Sequence, residues 1–122
     1  MNSTIENLIE GNNEVIMWYQ KANQIWDEIF SKIDPSDEKN IDALSEEIFM
    51  NQGVFERDCG SRFVGQEIMV VSGIGRFYST KDGFNDNYET AMNVYKALMQ
   101  SQCSTEIHYH AEKVAKHYDL LD

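Results

Sequence analysis

The sequence predicts an α+β domain, mainly helical, with about five helices and one small central antiparallel β-hairpin. Two observations lead there. Apolar residues recur at three and four along residues 13–33 and again over 88–121, the spacing of amphipathic helices. Six of the seven glycines lie between Gly53 and Gly83, with much of the β-branched and aromatic content, as in strands joined by tight turns. The 122 residues predict a single domain spanning 1–122, because separate cores usually need on the order of 100 residues each. An all-α bundle is the alternative, since the apolar run Ile68 to Val71 is too short for its periodicity to separate strand from helix.

Ser3-Thr4-Ile5-Glu6 matches the S/T-x-x-E capping box and predicts a short helix from Ser3 that fades near Gly11. From Asn13 to Ile33, the side chains of Val15, Trp18, Tyr19, Ala22, Ile25, Trp26, Ile29, Phe30 and Ile33 fall within an arc of about 140° at roughly 100° per residue. Met17 falls on the polar side, to be covered by the first short helix or left open to a partner. Asp34-Pro35 ends this helix and opens the next, because proline disfavours helical geometry in the residue before it and fits the first helical position itself. That next helix is expected from Pro35 to about Met50, with Ile41, Leu44 and Ile48 as a narrow apolar stripe.

The hairpin is placed at Phe63 to Val71 and Arg76 to Thr80, joined across Ser72-Gly73-Ile74-Gly75. Lys81-Asp82-Gly83 reads as a turn. Beyond it, Tyr88, Ala91, Met92, Tyr95, Leu98 and Met99 share one helix face, and Ile107, Ala111, Val114, Tyr118 and Leu121 share another. The short connection at 102–104 makes these two helices an antiparallel or angled pair. Packing is expected to set the Asn13–Ile33 helix, with Trp18 and Trp26 inward, against the last two helices, leaving the Pro35–Met50 helix facing solvent.

No apolar run exceeds five residues, far short of the roughly 18–20 that cross a bilayer. The first 15 residues carry Glu6, Glu10 and Glu14 and no basic side chain, unlike a secretory signal, so a cytoplasmic location is expected. Cys59 and Cys103 have no CxxC neighbour and read as two reduced, buried thiols. The chain carries 21 acidic against 10 basic side chains, and the excess is uneven. Residues 1–60 hold thirteen acids against Lys21, Lys32, Lys39 and Arg57, a balance of −9, whereas residues 61–122 come to −2. Such a field repels nucleic acid and anionic membranes and attracts a basic protein surface.

Three motifs invite a chemical reading. Glu106, His110 and His117 share one side of the last helix at a spacing two ligands of one metal can use, but Lys113 lies between them and opposes a divalent cation. Gly73-Ile74-Gly75 suggests a phosphate-binding turn, yet Tyr78 stands where the dinucleotide fingerprint needs its third glycine and no Lys-Ser/Thr follows. The final helix pair has the outline of a helix-turn-helix, but Glu106, Glu112 and Asp119 outnumber Lys113 and Lys116 on its second helix, leaving little for DNA phosphates. No cofactor, no metal and no direct nucleic-acid contact are therefore expected, and the chain is not expected to be an enzyme.

The acidic ridge remains. Glu38, Asp42 and Glu46 stand at i, i+4 and i+8, about 6 Å apart along a helix axis. Like charges at this spacing cost a helix a few tenths of a kcal/mol per pair. Asp34, Asp37, Glu38, Asp42, Glu46 and Glu47, with Asp27 and Glu28 next, are the expected partner-binding residues. The function expected is a small acidic inhibitor that docks on a basic, nucleic-acid-handling protein, such as a nuclease, and occludes its phosphate-binding surface. Anti-restriction and anti-CRISPR proteins of phages and mobile elements, and immunity proteins against nuclease toxins, use this physics, an analogy of size and composition rather than motif. Two other expectations stand beside it: a small metal- or ligand-binding enzyme domain using the His110/His117 helix, and a structural subunit of a larger assembly.

Overall fold

The computed structural model describes residues 13–77 and 85–121. Five α-helices are found there: α1 (Asn13–Lys32), α2 (Ile41–Asp58), α3 (Arg62–Gly75), α4 (Asn85–Gln100) and α5 (Thr105–His117), with a 3-10 turn at Glu38–Asn40 before α2. The fold is all-α among the described residues, which corrects the expected α+β class in favour of the all-helical alternative. The expected helix at Ser3–Gly11 and the turn Lys81-Asp82-Gly83 lie outside the described residues.

The correction rests on α3. Its span contains the whole expected first strand and the expected hairpin turn. Every residue from Gly65 to Ile74 except Glu67 is buried. A helix surrounded by other helices is apolar on all sides and so carries no three-and-four stripe in its sequence. The glycines mark close approach rather than turns. A Cβ at Gly65 would sit 2.5 Å from the carbonyl oxygen of Phe55, and one at Gly73 would sit 2.5 Å from the Trp26 ring. Among the described glycines the one with left-handed backbone is Gly60 (φ 104°), where the chain turns from α2 into α3.

Helix α3 packs against α1, α2, α4 and α5. Trp26 of α1 is fully buried, and its Nε1 donates to the Met69 carbonyl of α3 at 3.0 Å. The indole also stacks on Phe30 and tilts against Phe55, with ring centroids 5.1 and 5.5 Å apart. Thus α1 rests on α2 and α3 rather than on the last two helices as expected. The expected inward face of α1 is otherwise the observed one, with Val15, Ala22, Trp26 and Ile29 buried and Trp18, Tyr19, Ile25, Phe30 and Ile33 packed at its margins.

α2 begins six residues after Pro35 and runs eight past Met50. Asp34 and Asp37 spend their side chains on tight turns instead: Asp34 accepts from the Ser36 hydroxyl and N–H at 2.7 and 3.0 Å, and Asp37 from the Lys39 N–H at 2.9 Å. The Asn93 side chain of α4 donates to the Pro35 carbonyl at 3.0 Å and anchors this connection. α2 packs on α1, α3 and α4 and buries Leu44, Ser45, Ile48 and Phe55, so it is part of the core and not an outer layer. Cys59 and Cys103 are buried free thiols, and burial pushes Cys59 up to about 11, which leaves it protonated and unreactive near neutral pH. No described helix is long and apolar enough to cross a membrane.

Candidate protein-interaction face

The side of α2 turned away from the core carries the acidic ridge. At about 100° per residue, Asp42, Glu46, Phe49 and Met50 point at least roughly 100° away from every residue of the inward row of Leu44, Ile48 and Phe55. All four are exposed. Glu38, the expected first member of the ridge, lies in the 3-10 turn, so the α-helical i, i+4 pair is Asp42 with Glu46.

The expected binding residues differ in how far the protein itself satisfies them. Asp27 pairs with Arg76, whose guanidinium also lies over the Phe30 and Phe77 rings at 5.4 and 5.8 Å. Glu47 is half-buried and pairs with Lys32 at 3.8 Å. Asp34 is held below the usual carboxylate range by the Ser36 hydroxyl and then the Ser36 N–H. Asp37 caps the 3-10 turn, and Asp42 accepts from the Gln100 side chain. None of these last three meets a cation, and Glu28, Glu38 and Glu46 are exposed with no side-chain partner among the described residues. Of the six expected residues that meet no cation, Asp34, Asp37, Glu38, Asp42 and Glu46 lie in the first turns of α2 and the connection before it, and Glu28 lies on α1.

The ridge borders the carboxyl end of α4. The Ser101 hydroxyl donates to the Ser45 carbonyl at 3.0 Å, and Gln100 reaches Asp42, so the two helices meet here. Between them runs an open groove of about 560 Å³, lined by Asp42, Ser45, Glu46, Phe49, Met50, Gln100 and Gln102. Sequence reasoning missed Phe49 and Met50. Their positions on the helical wheel, apolar residues beside Asp42 and Glu46, were the available signal.

The histidines of α5 occupy three separate environments. His110 lies 3.7 Å from Glu67 of α3, His108 donates from Nε2 to the Ser101 carbonyl at 3.0 Å, and the His117 ring packs edge-on against Tyr118. Glu106 faces Arg62 at 3.7 Å. Burial lowers the His110 pKa, an effect that Glu67 opposes. Among the described residues no three His, Cys, Asp or Glu side chains converge on a point where a metal ion would sit. Gly73-Ile74-Gly75 lies in the last turns of α3, with Gly73 against Trp26 and Gly75 against Tyr118, and forms no phosphate-binding loop. Met17 is exposed on α1. No protein-family model, curated protein or solved structure matches this chain.

Proposed function

We propose that the protein is a small acidic docking protein that binds a basic, nucleic-acid-handling protein and covers the surface that protein uses for phosphates. One observation carries the reading: Asp42 and Glu46, with Glu38 beside them, are exposed and meet no cation among the described residues, on a helix whose opposite side is fixed in the core. Carboxylates held at a fixed spacing on a rigid helix present a basic surface with charges it would otherwise take from phosphate. The overall charge of −11 adds long-range attraction and fast, salt-sensitive encounter.

The test is capture from a lysate of the encoding organism on the immobilised protein at low salt, with elution by a salt gradient. The reading expects a basic nucleic-acid-binding protein to elute as salt rises, and expects DNA or RNA to compete for it. Capture of nothing, or of a non-basic protein that resists salt and ignores nucleic acid, overturns the reading.

A further inference from the structure

Phe49 and Met50 are 49% and 70% exposed, although α2 buries Leu44, Ile48 and Phe55 on its other side. They continue the acidic ridge in the same register: Asp42, Glu46 and Met50 stand at i, i+4 and i+8, with Phe49 beside Met50. The row therefore presents two carboxylates and then an apolar end, over about 12 Å of helix. The groove against Gln100 and Gln102 runs alongside it.

We infer that this face receives a basic amphipathic helix of the partner, one with lysine or arginine at two positions a turn apart and a bulky aliphatic residue a further turn along. The inference rests on the docking function proposed above and specifies the element that is recognised. The cations meet Asp42 and Glu46, and the aliphatic side chain covers Phe49 and Met50. A helix laid into a groove engages it through such i, i+4 and i+7 anchors, and the unbranched thioether of methionine adapts to an approaching face. Charge argues against the other occupants. Nucleic acid and anionic lipid are repelled by Asp42 and Glu46, and a two-fold dimer through this patch would set the carboxylates against those of the copy or against its Phe49 and Met50, with no cation to meet them.

The test uses an alanine-based helical peptide carrying lysine at i and i+4 and leucine at i+7 and i+8, titrated into the full-length, isotope-labelled protein and followed by amide chemical shifts. Shifts are expected at residues 42–50 and 100–102. A peptide with both leucines replaced by glutamine, or a protein carrying Phe49→Ser and Met50→Ser, is expected to bind about tenfold more weakly, with the dispersed spectrum showing that the variant is folded. Equal affinity of the glutamine peptide overturns the apolar anchor while leaving the charge reading in place. Equal affinity of a protein carrying Asp42→Lys and Glu46→Lys overturns the charge reading as well. The inference also fails if shifts lie elsewhere or are absent, or if the protein alone self-associates through residues 42–50 as its concentration rises.

Discussion

Helices α2 and α3 lie side by side and differ in what surrounds them. α2 turns Asp42, Glu46, Phe49 and Met50 to solvent and buries one row, whereas α3 is enclosed by four helices and buries nearly every residue from Gly65 to Ile74. The difference separates the helix that holds the fold from the helix with a side to spare. A substitution between Gly65 and Ile74 must disturb a neighbour, whereas on the outer side of α2 Glu46, Phe49 and Met50 face mainly water and Asp42 meets only the Gln100 side chain. The sharpest contrast lies between glycines of the two helices.

Gly65→Val is expected to have the largest effect. The new Cβ would fall 2.5 Å from the Phe55 carbonyl oxygen and 2.9 Å from the Glu56 Cα, backbone atoms that cannot swing aside. A loss of about 3 kcal/mol or more in urea unfolding is expected, or failure to fold. A valine tolerated at that position would mean that α2 and α3 do not cross there. Next comes Trp26→Phe, which keeps an aromatic ring but removes the donor to the Met69 carbonyl. Its expected cost is about 1–3 kcal/mol, and an unchanged midpoint would show that the bond contributes nothing. Gly53→Ala goes the other way. Nothing lies within 4 Å of a Cβ at Gly53, in the middle of α2, so alanine is expected to add about 0.5–1 kcal/mol of stability.

The smallest effect concerns pH at the α3–α5 contact. His110 faces Glu67 of α3 and, on its own helix, Glu106 and Lys113. Burial lowers its pKa in the folded state, so the unfolded chain takes up this proton at about 6.5 while the native state resists it. Stability therefore falls as pH drops below 6.5, until the folded pKa is passed and the difference levels off. His110→Gln is expected to remove that part of the slope. A variant whose stability follows the wild-type profile through this range would show that His110 titrates alike in both states.

The contrast between the two helices also explains what was legible in the sequence. α1 is an amphipathic helix, expected over Asn13–Ile33 and found over Asn13–Lys32, and its inward face at Val15, Ala22, Trp26 and Ile29 follows from spacing. α3 was opaque for the opposite reason. Burial on all sides erases periodicity, and its glycines, needed so that Phe55 and Trp26 can approach, look in sequence like turn glycines. The acids of the candidate face were legible as a charge pattern. Which of them the protein neutralises was not, because Asp27 with Arg76 and Glu47 with Lys32 are pairs made between elements. Phe49 and Met50 were hidden because an apolar residue in a helix is ordinarily assigned to the core.

On the function proposed, the outer side of α2 serves a partner, while the fold draws on it only through the Gln100 hydrogen bond to Asp42. This central claim is tested most directly in the variant Glu38→Lys, Asp42→Lys and Glu46→Lys, by measuring unfolding stability and the association rate with the basic protein eluted by salt. Stability within about 0.5 kcal/mol of wild type is predicted, as for exposed sites in general. Association is predicted to slow by about tenfold or more, with a flatter dependence on salt. An unchanged association rate in the folded variant would contradict the claim and place the interface elsewhere.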